Sequence, residues 1–288
     1  MNHLARLRTA LRNKVASAIL AAALGSALAT GSAKAASSDW AGDARAGIRL
    51  VASTDAAGPD GRTEAGLQFR LAAGWHTYWR SPGEVGFPPQ IDWSGSENVK
   101  DVAVAWPAPA RLSASGLRSN VYRGEVVLPV AVTAVEPGAP IRLRARVEYA
   151  GCREICIPYR ATLSLDLPAG QPTASPEAAL IAEARSRVPA APESAGFQVA
   201  AARWTEAASG AALTAMLTRT TGRFTAPEIF VEAEGRDEPA STIRVTEDGR
   251  TAWLKVSLPA GTGPPAGTRE RLDFTLVDGD RSAAWTVP

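Results

Sequence analysis

Cysteine and histidine are scarce in this 288-residue chain, with two of each. Two thiols cannot build a disulfide-dense scaffold or a four-thiolate zinc site. One histidine, His3, lies near the N-terminus, so beyond residue 35 His76 stands alone. A Ser-His-Asp triad would have to use His76, and no Gly-x-Ser-x-Gly elbow accompanies it. One His and two Cys without a carboxylate cluster also make no metal site, and neither metal nor cofactor is expected. Long apolar runs are missing too. After residue 35 no segment reaches 18 uninterrupted apolar residues, so no membrane span is expected there.

The N-terminus reads as an export signal. Arg6, Arg8, Arg12 and Lys14 precede an Ala/Leu-rich run from Val15 to about Ala29, and Ala33-Lys34-Ala35 offers small residues for cleavage before Ala36. The whole chain has a formal charge of +2, but residues 1–35 hold five of its 31 basic residues and no acid. The remaining 26 basic and 29 acidic residues give the exported chain a net charge of −3. The apparent basicity belongs to the signal, and a nucleic-acid partner loses its electrostatic basis. Export predicts an oxidising compartment in which a disulfide persists.

What remains is rich in turns and short strands. There are 25 Gly and 21 Pro, about one residue in six. Ile48–Val51 and Leu67–Leu71 alternate around the turn Gly58-Pro59-Asp60-Gly61. Residues 126–135 form an apolar strand whose Pro129 suggests an edge or a bulge. In 141–149, Ile141, Leu143, Ala145, Val147 and Tyr149 share one face, while Arg142, Arg144, Arg146 and Glu148 read as a solvated face. Residues 169–196 read as a Pro/Ala-rich linker carrying a short spacer helix, with Ser175 as N-cap and Pro176 at its first position. Strands are expected again at 213–217, 229–231, 251–258 and 272–277, with a hairpin turn at Glu247-Asp248-Gly249-Arg250. Acids of this second unit, such as Glu232, Glu234 and Asp237, read as solvated charges. The expected fold is all-β. Two tandem immunoglobulin-like sandwiches, 36–168 and 197–288, follow the signal at 1–35.

The chemistry concentrates in Tyr149-Ala150-Gly151-Cys152-Arg153-Glu154-Ile155-Cys156-Ile157-Pro158-Tyr159. A stabilising disulfide is one reading. A loop of about five residues gains only roughly 2 kcal/mol from closure, against about 4.7 for a loop of 100, which argues for a redox role instead. Arg153 favours a thiolate and Glu154 opposes it, so the spacing leaves the direction of the thiol pKa open.

Three stretches resemble one family. Tyr149-x-Gly151-Cys152…Cys156-x-Pro158, Gly74-Trp75-His76-Thr77-Tyr78 and Val121-Tyr122-Arg123-Gly124-Glu125-Val126-Val127-Leu128-Pro129-Val130 are similar to the N-terminal periplasmic domain of the thiol:disulfide interchange protein DsbD. The run from Trp75 through Trp79 to Glu84 is closer to its relative ScsB, whose exported region has tandem immunoglobulin-like domains. The resemblance implies a periplasmic reductant relay in which Cys152 and Cys156 are the redox pair and Cys156 attacks. It implies a thioredoxin-fold electron acceptor and a separate membrane-embedded or thioredoxin-like donor, since those domains are absent from this chain.

By the same resemblance Tyr78 stands beside the pair, and His76 takes a place often held by another aromatic. Trp75 and Trp79 are expected to shelter the pair, with Tyr149, Pro158 and Tyr159 as supporting or wall residues. The family's aromatic cap is missing. The matching stretch, about 113–117, leaves Leu117 and Leu112 as its bulky candidates. A non-enzymatic tandem sandwich with a structural disulfide is the rival reading.

Overall fold

The computed structural model describes residues 36–288 apart from 115, 208–209, 234–237, 260–270 and 288. The export signal, and the acids Glu234 and Asp237, lie outside the described residues. Strands occupy residues 41–167 as β1 (Ala41–Gly42), β2 (Ala46–Ala52), β3 (Arg62–Leu71), β4 (His76–Gly83), β5 (Gln90–Asp92), β6 (Val99–Val104), β7 (Ala110–Ala114), β8 (Leu117–Arg123), β9 (Glu125–Ala134), β10 (Ile141–Cys152) and β11 (Cys156–Leu167). One sheet has the order β1-β2-β3-β9-β6. The other has β11-β10-β4-β8-β7, with β5 also paired to β10. Ile48, Leu50, Leu67 and Phe69 of the first sheet share a buried core with Leu143, Val147, Tyr149, Leu163 and Leu165 of the second.

Strand alternation explains which residues fill that core, because successive side chains point to opposite faces. In β10 the odd positions 141–149 are buried. Arg142, Arg146 and Glu148 are exposed and Arg144 is half-buried, and all four form ion pairs along the outer face. Pro129 does not mark an edge. β9 lies between β3 and β6, and Gly66 faces Pro129 in an unbroken register. The Pro129 carbonyl accepts the Ala105 N–H at 2.7 Å. In a strand, N and C=O of one residue point to the same side, so the missing donor faces the side where β6 has already ended at Val104.

The linker helix, α1 (Ala178–Ser186), starts after Glu177, not Ser175. The Ser175 hydroxyl accepts the Glu177 N–H just ahead of the helix and donates to the Ala52 carbonyl of β2. Nor is α1 a free spacer, because Ile181 and Ala184 pack on Val51 and Val127 and cover the outer face of the first sheet.

Beyond it come β12 (Phe197–Ala207), β13 (Gly210–Arg219), β14 (Glu228–Ala233), β15 (Ala240–Val245), β16 (Thr251–Pro259), β17 (Leu272–Asp278) and β18 (Arg281–Val287). They form sheets β12-β13-β16-β15 and β14-β17-β18 over their own core. The hairpin expected at 247–250 joins β15 to β16 in the register Val245↔Ala252. The fold is all-β, two immunoglobulin-like sandwiches in tandem.

Side chains cross from the second sandwich into the first. Phe230 of β14 is fully buried in the first core, edge-on to Trp79 at 5.9 Å. Beside it Glu232 is not a solvated acid. It accepts two hydrogen bonds from Arg80 of β4, at 2.9 and 2.6 Å. Truncating Phe230 to Ala should cost about 3–5 kcal/mol of unfolding free energy in a urea titration. The exposed Val135→Ala should stay within about 0.5 kcal/mol. Equal losses would show that Phe230 does not join the cores.

Candidate functional site

β10 and β11 form one hairpin whose register runs unbroken from Ile141↔Leu167 to Cys152↔Cys156. The two cysteines are thus the last cross-strand pair, with Cα atoms 4.1 Å apart and sulfurs joined in a disulfide. Arg153, Glu154 and Ile155 close the end, all exposed. Paired residues share a face, and Cys152 also pairs with His76 of β4, which pairs with Arg123 of β8. Cys156, Cys152, His76 and Arg123 therefore form a transverse row across four strands, on the outer face of the sheet.

The two sulfurs differ in environment. Cys152 is 2 % exposed and packs with Tyr78, Val121, Ala150 and Leu112, whereas Cys156 is exposed. The Tyr78 hydroxyl lies 3.6 Å from Cys156 Sγ. A disulfide sulfur carries no hydrogen, so the phenol is the donor. Burial raises the Tyr78 pKa, which keeps that donor protonated at neutral pH. His76 is 7 % exposed and meets the Tyr78 ring edge-on at 5.5 Å. Its pKa is lowered, first by burial and then by the charge of Arg123, so the imidazole is neutral at pH 7.

Alternation corrects several expected wall residues. Tyr149 and Tyr159 occupy odd positions and project from the opposite face of the hairpin. There they stack at 5.1 Å, and their hydroxyls donate to the Ala46 carbonyl and to Asp43. Trp75 lies on that side too, against Gly151 and under Arg45. These three support the hairpin from behind, and none of them walls the sulfurs. The space there is tight, since a Cβ on Gly151 would lie 2.7 Å from Ala46 Cβ. Trp79 points inward to Phe230, away from the pair. Pro158 does share the outer face of Cys156 and stands on the edge strand, where its missing N–H breaks no ladder.

The shield comes from Leu112 rather than from Leu117. β7 and β8 form a hairpin in which Val121 and Leu112 face Cys152, while Leu117 is 46 % exposed near the tip. A loop after β4 adds cover that no motif announced. Gly86 lies so close to the Tyr78 ring that a Cβ there would sit 2.4 Å from it, and its φ of 142° suits glycine. Glu84 anchors this loop by accepting from the backbone and guanidinium of Arg118. Among the described residues no cluster of His, Cys, Asp and Glu is placed to hold a metal ion.

Residues 49–168 match the family described as thiol:disulfide interchange protein DsbD, N-terminal. The first sandwich belongs to that family. This DsbD-type domain is followed by a match of residues 187–288 to a domain of unknown function, DUF8393. Among solved structures, the N-terminal periplasmic domain of ScsB from Proteus mirabilis is 25% identical, with a TM-score of 0.67, covering 88% of this chain and 98% of that one. The DsbD N-terminal domain of Neisseria meningitidis in its reduced form is 16% identical with a TM-score of 0.26, covering 44% of this chain and 89% of that one. No curated protein sequence matches the chain. The DsbD-type domain thus places the cysteine pair in a thiol–disulfide exchange family. No helix among the described residues is long and apolar enough to cross a membrane.

The buried imidazole gives the DsbD-type domain a pH signature. A His with a lowered folded pKa is protonated first in the unfolded chain, so the unfolded state binds more protons as pH falls. Stability is full above about pH 6.5 and declines as pH drops from there toward the depressed folded value. Because His76 is the only imidazole after residue 35, its proton titration can be read directly by NMR. The titration should lie below the ordinary range, and His76→Phe should remove this segment of the stability–pH curve. A His76 midpoint at or above 6.5 would contradict the assignment.

Proposed function

We propose that this is an exported thiol–disulfide exchange protein that passes reducing equivalents through Cys152 and Cys156 to thioredoxin-fold partners in the periplasm. One observation carries the reading: the pair ends a hairpin with one sulfur buried and the other presented to solvent. Exchange needs an accessible sulfur for the mixed disulfide and a sheltered one that leaves and returns. A staple would gain more from spanning distant strands.

In the reduced form the Cys156 thiolate attacks a partner disulfide. The partner's S–S bond breaks, and one partner sulfur leaves as a thiolate. Cys152, as thiolate, then attacks Cys156 Sγ, releasing the second partner sulfur. Two electrons pass to the partner, and the Cys152–Cys156 bond re-forms. Tyr78 donates its hydrogen bond to Cys156 while that sulfur carries charge, and neutral His76, Leu112 and Val121 exclude water from Cys152. Electrons return from a separate membrane-embedded or thioredoxin-like donor. On this reading residues 1–35 direct export, 36–168 carry the exchange, 169–196 link, and 197–288 form the second sandwich.

Single-cysteine variants test it. Cys152→Ser, expressed for export, should accumulate mixed disulfides on Cys156, and Cys156→Ser should accumulate far fewer. A midpoint potential below about −300 mV, together with no adducts from either variant, would instead favour a structural disulfide on a binding scaffold.

A further inference from the structure

We infer that the second sandwich is the rigid backing of the disulfide's shield, and that it acts through Glu238. The inference rests on the redox reading of Cys152–Cys156 and assigns Glu238, Arg111 and Asn120 as positioning residues.

The Glu238 side chain is 2% exposed, although it comes from the second sandwich. Its carboxylate accepts from Arg111 Nη1 and Nη2 at 2.8 and 2.9 Å, from Asn120 Nδ2 at 2.9 Å, and from the Val231 N–H at 3.4 Å. Arg111 Nη1 also donates to Asn120 Oδ1 at 2.6 Å. Its Nη2 donates to the Ile229 carbonyl at 2.7 Å, and the guanidinium lies 4.4 Å from the Phe230 ring centre. Asn120 is fully buried and donates in addition to the Ser81 carbonyl at 2.9 Å.

Each of these groups sits on the reverse side of the shield. Arg111 precedes Leu112 on β7, and Asn120 precedes Val121 on β8. Ser81 lies in the irregular stretch of β4 that opens directly after Tyr78. Neighbouring strand residues face opposite ways, so β7 and β8 hold Glu238 behind and touch the disulfide cluster in front, and Ser81 of β4 is tied to them through Asn120. The backing is needed because β8 pairs with β4 only at residues 76–78 and 83, and β7 pairs only with β8. A two-stranded hairpin projecting from its sheet is marginally stable alone. Bound to Glu238, it holds Leu112 and Val121 on Cys152. Released, it would open a path for an incoming thiol to Cys152, the sulfur that the shield covers.

The test is reduction of the oxidised exported chain by dithiothreitol, which needs no protein partner. It therefore stays readable if partner trapping fails, and partner trapping stays readable if this fails. Arg111→Met/Glu238→Leu removes both buried charges and keeps apolar volume, a replacement that buried ion pairs commonly tolerate. It should speed disulfide reduction by roughly fivefold or more through local opening of the hairpin, and shift the midpoint potential. Arg80→Met/Glu232→Leu, at the same junction but off the hairpin, should stay within about twofold. Unchanged reduction in both variants, or equal acceleration in both, would overturn the inference. In the unmutated chain, native-state hydrogen exchange supplies a second reading. The amides of Leu112 and Val121 should open together with those of Ile229 and Val231 of β14. Hairpin amides that open independently of β14 would overturn it as well.

Discussion

A strand has two faces, and the β4–β8–β7 ladder uses both. Its outer face carries His76, Tyr78, Val121 and Leu112 onto the cysteine hairpin. Its inner face carries Trp79, Asn120 and Arg111 toward the second sandwich. In most antiparallel sandwiches the inner face would meet the opposing sheet of the same domain. Here the far end of the ladder is met by Phe230 and Glu238 instead. The period-2 alternation therefore couples an exposed chemical site to a domain boundary with no intervening layer.

Magnitudes separate what holds the fold from what performs the chemistry. The disulfide closes a loop worth roughly 2 kcal/mol in chain entropy. Burying one large apolar side chain contributes about as much, and the first core contains many. The hairpin is held by its register and by the aromatic cluster of Tyr149, Tyr159 and Trp75, not by the sulfurs at its end. Opening the disulfide can leave the scaffold intact, as the proposed exchange requires. The junction is different in kind. Removing one partner of a buried, hydrogen-bonded ion pair leaves a stranded charge at a cost of about 3–5 kcal/mol, so losing Arg111 or Glu238 alone weighs far more than losing the partly exposed Arg80 or Glu232.

Much of this was legible in the sequence where the signal is local. The alternation of 141–149, the hairpin at 247–250 and the four-residue spacing of Cys152 and Cys156 report directly on strand, turn and pair. The parity that separates Cys152 from Tyr149 was present too. Its consequence is that Tyr149 and Tyr159 support from behind, because a motif groups residues by proximity in the chain while a strand sorts them by face. Contacts between distant segments left no trace. Trp79 and Phe230 are 151 positions apart, and no periodicity links them. Glu238 belongs to no pattern, and Glu232 resembles any surface acid until Arg80 is found opposite it. Ser175 accepts the Glu177 N–H just ahead of the helix, and its O–H also donates to the Ala52 carbonyl of a remote strand, a contact that nothing local announces.

The electrostatics of the transverse row bear on how such a pair could be tuned. Arg123 stands two strands from Cys152, roughly 10 Å at the usual strand spacing. At that range its charge is substantially screened at the surface. It is still felt by the buried imidazole between them, which it helps to hold neutral. A neutral His76 cannot stabilise a thiolate as an imidazolium would. The specific stabilisation available to the exposed sulfur is then the Tyr78 hydrogen bond, whose strength depends on the ring staying where Gly86 and the β4 ladder hold it. Because that hold is mechanical, the hydrogen bond to Cys156 depends on the rigidity of the ladder. The rigidity of the ladder, in turn, is set from its inner face.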